Sequence, residues 1–440
     1  MRKIIIIVLA LATTLGFVFW RFGPKIGNNN KDENKPTTLL IYGLWEDENY
    51  IKPAIEAYKK VKPNVTLKYV FQSSINYQKR VQTQISSNEG PDVFMLHQTW
   101  VPGFIKANLL SPMPSGVMSL EEYTQAFNPV AVETLTQDNK IYGIARGIDG
   151  LALYYNEDIL KAVNASVPQT WEEFRNSAIK TTTKDPAGNI ITAGAAMGAT
   201  GNVDHWPDII GLLFLQQPGA SLEKPNSDAG AEIIRFYTNF VTKPSQKVWD
   251  VNLENSTQAF AAGKLAFYFA PSWRAHEIHE TNKDLHFNTA SVPQLPNKKK
   301  ISWSTVWAYA VSSKSQNQTQ AWEFLKFFTS SQTQKLLYQE ASKLRLFGLP
   351  YSRVELQKEL EDDPIVGAFV IQAPDYKSWY LASQTHDQGV NDQMIKYFED
   401  AINATLQGAD PKSALDTTAK GVEQVLNTFV NPATPAPSKR

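Results

Sequence analysis

Apolar and polar positions change their period several times along this chain, and each change marks an element. Residues 37–45, "TTLLIYGLW", form a β-rich run that leads into Glu46, Asp47 and Glu48. Acids suit the start of a helix, where they oppose the macrodipole. The next stretch, "YIKPAIEAYKKVKPN", sets Ile51, Ile55, Tyr58 and Val61 close to helical spacing, and Pro63 stops it. "VTLKYVF" alternates and predicts a strand, and "INYQKRVQTQIS" predicts a second amphipathic helix. "SNEGPDVFMLHQTW" opens on turn residues, continues through Val93 to Leu96, and closes with His97, Gln98, Thr99 and Trp100. A short apolar run after such a break predicts a buried strand of a parallel sheet. The order β-α-β-α-β implies an α/β fold with helices on the faces of that sheet. In open α/β sheets, ligands sit beyond the carboxyl ends of the strands. The cluster at 97–100 therefore reads in two ways, as ligand contacts or as a strand entering a surface loop.

A different pattern opens the chain. Arg2 and Lys3 precede an apolar stretch from Ile4 to Trp20, and Arg21 stops it. A secretory signal has a shorter apolar region followed by small residues, whereas bulky rings fill "LGFVFWRF" here. The stretch sits at the low end of a membrane span, Trp20 and Phe22 suit an interface, and the basic amino end is expected to stay cytoplasmic. Residues 1–20 are expected to be an uncleaved membrane anchor, with a cleaved signal as the alternative. Either one exports the rest of the chain. Residues 21–36 read as a flexible tether, and 431–440, "NPATPAPSKR", as a disordered tail.

Composition narrows the function classes. The 440 residues hold 43 Lys or Arg and 43 Asp or Glu, so no basic excess marks a nucleic-acid partner. The length suits two domains. Cysteine is absent, which removes disulfides, a thiol nucleophile, a Cys-ligated metal and lipid attachment through cysteine. The chain is rich in Trp (11), Tyr (17) and Phe (22), rings that fill cores and also wall ligands with apolar faces and polar rims. No P-loop, dinucleotide fingerprint or nucleophile elbow occurs, so no cofactor and no catalytic residue is expected. "HEIHE" sets His276 and His279 three apart, where a zincin helix needs four. It reads as a solvated helix face, and no metal is expected.

Several segments together resemble a known family. A strand ending in Trp, an amphipathic helix ending in "KPNV", and then "GPDVF" resemble family 1 extracellular solute-binding proteins, the maltose-binding-type receptors of ABC importers. "IYGIARGIDGLALYYNEDIL", "VPQTWEEFRNSA", "AFAAGKLAFYFAPSW", "QAWEFLKFFTSSQTQ" and "GLPYSRVEL" match further family segments in the same order, from about Leu39 to Val425. The resemblance implies a two-lobed α/β periplasmic-binding-protein fold (type II-like), with a cleft between the lobes and a crossing-strand hinge. Residues 37–147 plus 308–350 are expected to form lobe one, and 148–307 plus 351–430 lobe two. It also implies a monomer that binds a small solute, most simply a carbohydrate, and presents it to permease subunits in the membrane.

The resemblance also implies site residues. It places ligand contacts just after the strand at 93–96, which makes Gln98, Thr99 and Trp100 candidates, with His97 weaker. Trp45 and Glu46 end the first strand in a similar place; a helix-start acid is the plain alternative for Glu46. Asp149 aligns with an acid that contacts sugar hydroxyls in the maltose-type receptors. A carboxylate accepts two hydroxyl bonds in one plane, which suits vicinal diols; a salt bridge to Arg146 is the alternative. Gly147 and Gly150 permit unusual backbone angles, as a hinge needs. In "GNVDHWPDI", Asp204 reads as a cap of the following helix and Trp206 as the ligand contact. Trp273 matches the family's Trp that stacks on a sugar ring. A pyranose has an apolar C–H face, an indole is flat and electron-rich, and their contact removes both from water. A packed core Trp is the alternative. Trp303 and Trp307 in "ISWSTVWAYAVS" alternate with small residues, as on one face of a second crossover strand. Trp379 and Tyr380 fall near a further stacking ring of the family. Rival readings are an anchored glycan-acting enzyme, a receptor for a peptide, polyamine or glycerol phosphate, and a surface interaction protein without transport.

Overall fold

The structure is a computed structural model that describes residues 35–430. The expected anchor, nearly all of the tether and the tail lie outside the described residues. Among the described residues, no helix is long and apolar enough to cross a membrane.

Two five-stranded sheets organise the chain. The first runs in the order Val65–Phe71, Thr37–Gly43, Val93–His97, Trp307–Val311, Ile144–Ala145. Its first three strands are parallel, as the β-α-β-α-β pattern requires, and Trp307–Val311 returns antiparallel to Val93–His97. All five residues of Val93–His97 are buried, which explains why that strand reads as a continuous apolar run. The helix Glu48–Val61 packs one face inward through Ile51, Ala54 and Tyr58. Asp47, not Glu46, is its N-cap and accepts from the amides of Asn49 at 2.8 Å and Tyr50 at 3.3 Å. Glu46 is thereby released from helix duty.

The second sheet runs Phe287–Ala290, Ala152–Asn156, Leu265–Ala270, Ile190–Ala195, Thr183–Lys184. Leu265–Ala270 is its fully buried centre, parallel to one neighbour and antiparallel to the other. The helix Trp171–Thr181 covers it, opened by a capping box between Thr170 and Glu173. Farther out, Asp228–Thr242, Val390–Leu406 and Pro411–Val425 pack on one another.

The chain passes between the two sheets through segments that bond to each other. The amide of Leu151 donates to the Trp303 carbonyl at 2.9 Å, Ile148 to Pro350 at 3.0 Å, and Ser304 to Lys377 at 2.9 Å. Ser352 and Gln357 still hydrogen-bond Asn128, beside the first sheet. Two sequence expectations change here. "ISWSTVWAYAVS" is not one strand: Ser302–Trp303 pairs with Tyr376–Lys377, and Trp307–Val311 belongs to the first sheet. The two tryptophans therefore do not share a strand face. Gly147 and Gly150 are absent from the positive-φ residues, so unusual backbone angles are not what they provide. They provide room, since a Cβ on Gly150 would stand 2.2 Å from the Trp303 carbonyl oxygen and one on Gly147 2.4 Å from Leu349.

Candidate binding site

A cavity of about 360 Å³ opens where both sheets meet the crossing segments, within the size range of small-molecule sites. The first sheet supplies Trp45 and Glu46, and the second supplies Trp273 after Leu265–Ala270. Asp149 and Trp303 come from the crossings, and Trp307 from the first sheet's strand Trp307–Val311. Trp45 and Trp273 are 47% and 42% exposed, large apolar rings left open inside a concave surface.

Local backbone chemistry aims Trp45. Its φ is +69°, and the Glu46 amide donates to the Leu44 carbonyl at 2.8 Å around it. That is a γ-turn with a bulky residue in the left-handed region, a conformation costing about 1–3 kcal/mol. The turn lifts the indole out of the core. Its edge meets Trp307 with ring centroids 5.7 Å apart.

Glu46 is held by two guanidinium groups, Arg146 at 3.0 Å and Arg345 at 3.3 Å, both on Oε1. Arg146 therefore pairs with Glu46 and not with Asp149. The Asp149 carboxylate instead accepts from the Gly150 amide at 2.8 Å and from the amide and hydroxyl of Ser272, each at 2.9 Å. These bonds tie the crossing to the turn that presents Trp273 and occupy much of the carboxylate's accepting capacity. Burial pushes the Asp149 pKa up to about 6, against the opposing pull of those same bonds.

Trp273 is backed by Arg274, whose guanidinium carbon lies 4.3 Å from the ring centroid. His205 stands edge-on at 5.9 Å. Trp303 reaches the cavity but is otherwise sealed. It is fully buried, and its indole N–H donates to Asp208 at 2.7 Å.

Other candidates lie outside the cavity walls. Gln98 is buried and clamps the second crossing: its amide nitrogen donates to Ser378 at 2.7 Å, and its side-chain oxygen accepts from the Val306 amide at 2.6 Å. Thr99 accepts from Asn391 at 2.7 Å and pairs with His97 at 2.7 Å. Trp100 is 2% exposed, and its indole donates to Asp387 at 3.1 Å. Asp387 and Asn391 sit around the start of Val390–Leu406. The cluster at 98–100 is thus a joint between the first sheet and a distant helix. His97 is buried there, with its pKa pushed down to about 3. Trp206 is buried at the first turn of Trp206–Gln216. Trp379 and Tyr380 pack on each other at 5.7 Å. Asp204 does not cap its own helix. It accepts from Asn255 and from the Thr257 amide at the start of Ser256–Ala261.

Sequence reading passed over Arg345, Phe347, His205, Asp208 and Ser383, which also wall the cavity. His276, read as part of a solvated face, is half-buried and lies 4.3 Å from the Phe347 ring. Burial first, and the nearby Arg345 charge second, push its pKa down to about 4. A helical period of three to four from buried Ala275 and Ile278 signals only part of this inward turn. Among the described residues, no group of three or more potential metal ligands occurs.

Residues 43–335 match the family model described as bacterial extracellular solute-binding protein. Along nearly its whole length the chain is similar to the galactooligosaccharide-binding protein of Bacillus subtilis (strain 168), at 24% identity over 434 residues, covering 96% of this chain and 97% of that one. Among solved structures, the sugar-binding protein MalE from the phytopathogen Xanthomonas citri is similar with a TM-score of 0.72 at 18% identity, covering 89% of this chain and 98% of that one. A cyclo/maltodextrin-binding protein complexed with maltotetraose gives 0.71 at 19% identity, covering 91% and 100%. The structural likeness carries the fold: two α/β lobes with a cleft between them.

Proposed function

The chain belongs to the bacterial extracellular solute-binding proteins, and from that premise we propose that it is the sugar receptor of an ABC importer. A sugar or oligosaccharide is held between the lobes and presented to the permease. The carrying observation is the pair of open indoles, Trp45 and Trp273, one from each sheet, facing a single cavity. Two flat rings on opposite lobes suit a solute with apolar C–H faces, because burial of both surfaces is favourable only on closure. Glu46 adds acceptor capacity for hydroxyls, held in place by its two arginines. The similar proteins, a galactooligosaccharide-binding protein and a cyclo/maltodextrin-binding protein, support the same class.

The reading includes a monomeric, non-enzymatic receptor outside the cytoplasm, attached through residues 1–20. It also keeps the division into 37–147 with 308–350 and 148–307 with 351–430. The test is a thermal-shift screen against maltodextrins, galactooligosaccharides, peptides and polyamines. A sugar at a hundred times its dissociation constant is expected to add roughly 2.7 kcal/mol of apparent stability. A shift with a peptide or polyamine and with none of the sugars overturns the sugar reading.

A further inference from the structure

We infer that Ser383 presents its hydroxyl hydrogen to the cavity, and that Arg274 fixes this polarity through the tautomer of His205. The inference rests on the reading of this cavity as the solute site. His205 is 1% exposed, its ring stands between Arg274 and Ser383, and the Asp208 carboxylate lies 3.7 Å from Nδ1, where it also favours a ring hydrogen. On one side Arg274 Nε lies 3.1 Å from His205 Nε2. An arginine Nε always carries hydrogen and never accepts. Nε2 therefore offers its lone pair, and the ring hydrogen sits on Nδ1. On the other side Nδ1 lies 3.0 Å from Ser383 Oγ. The imidazole thus donates to the serine, and one lone pair of Oγ is taken.

Ser383 is half-buried in the cavity wall. Its hydroxyl has no other hydrogen-bond partner among the described residues. Its hydrogen, not being needed by His205, is left for the solute. With the opposite tautomer, Nδ1 would take that hydrogen, and Ser383 would face the solute with lone pairs only. The polarity of this wall therefore depends on a residue that does not line the cavity. Arg274 is fixed for the task by Glu277, by Asp204 at 4.0 Å, and by the Trp273 ring at 4.3 Å. One guanidinium thus backs the aromatic wall and sets the neighbouring donor. The arrangement selects solutes with an acceptor at this point, such as a ring oxygen, a glycosidic oxygen or an accepting hydroxyl. It gives no advantage to a solute that offers only N–H donors there.

Two measurements on the full chain test this. In two-bond ¹H–¹⁵N spectra of ¹⁵N-histidine protein, with the His205 signal assigned by its loss in His205→Gln, the Nδ1–H form is expected. In Arg274→Met, where only the Asp208 carboxylate still favours Nδ1–H, the Nε2–H form should gain population. An Nε2–H form in the unsubstituted protein overturns the inference. Calorimetry with maltotriose and with a galactotriose is the second arm. Ser383→Ala is expected to weaken whichever sugar binds by about tenfold, and unchanged affinity overturns the donor role. If no sugar of the thermal-shift screen binds while the Nδ1–H form is present, the sugar reading fails and the tautomer assignment stands.

Discussion

Trp45 and Trp100 follow adjacent parallel strands of one sheet, yet one is 47% exposed and the other 2%. Nothing in the strands separates them, since both arrive at the same end of the same layer. The difference lies in what meets each ring afterwards. A γ-turn at Leu44–Glu46 carries Trp45 away from the core. Trp100 enters the short helical turn Gln98–Trp100 and finds Asp387, a partner from the far end of the chain. The lesson is that a strand-end aromatic cluster in an α/β lobe has two uses. It either faces the cavity or fastens the lobe to its neighbour.

The largest effect should come from breaking the fastening. Trp100→Ala removes a buried indole and one of the hydrogen bonds to the Asp387 carboxylate, which keeps those from Gly389, Asn391 and Asp392, so a stability loss of about 3–5 kcal/mol, mostly from the cavity, is expected in chemical denaturation. A loss below about 1 kcal/mol would show that the joint carries little.

Asp149 sharpens the contrast through pH. Its folded pKa, near 6, stands above the unfolded carboxylate value of about 4. The folded state therefore holds the proton more tightly than the unfolded state. Below that window its contribution is fully present, and it is lost as pH rises through about 4 to 6. The loss should amount to at most ~3 kcal/mol. Asp149→Asn should flatten that part of the stability-against-pH curve. An unchanged slope would mean the carboxylate is ionised normally.

The smallest effect belongs to Trp45. Trp45→Gly relieves the left-handed backbone and should raise stability by about 1 kcal/mol, while weakening sugar affinity. Lost stability would place this ring among the packing residues, alongside Trp100.

Much of the fold was legible because it is local. The strands Thr37–Gly43, Val65–Phe71 and Val93–His97 and the helices between them follow directly from spacing and punctuation. The cavity wall was legible where the resemblance met an exposed ring, as at Trp273. It was illegible where pairing is distant. The partners of Trp100 and Thr99 lie at Asp387 and Asn391, and Glu46 is paired with Arg345. No periodicity reports such contacts. The break in "ISWSTVWAYAVS" was hidden for the same reason, because Tyr376–Lys377 decides where Ser302–Trp303 pairs.

The central claim is that the solute covers Trp45 and Trp273, not Trp100. It is tested most directly with 5-fluorotryptophan protein, its ¹⁹F signals assigned by single substitutions and compared in H₂O and D₂O during titration with a sugar that binds. Trp45 and Trp273 should show a solvent isotope shift that disappears on saturation, and Trp100 should show none at any point. A saturating sugar that leaves the solvent shifts of Trp45 and Trp273 intact would contradict the account.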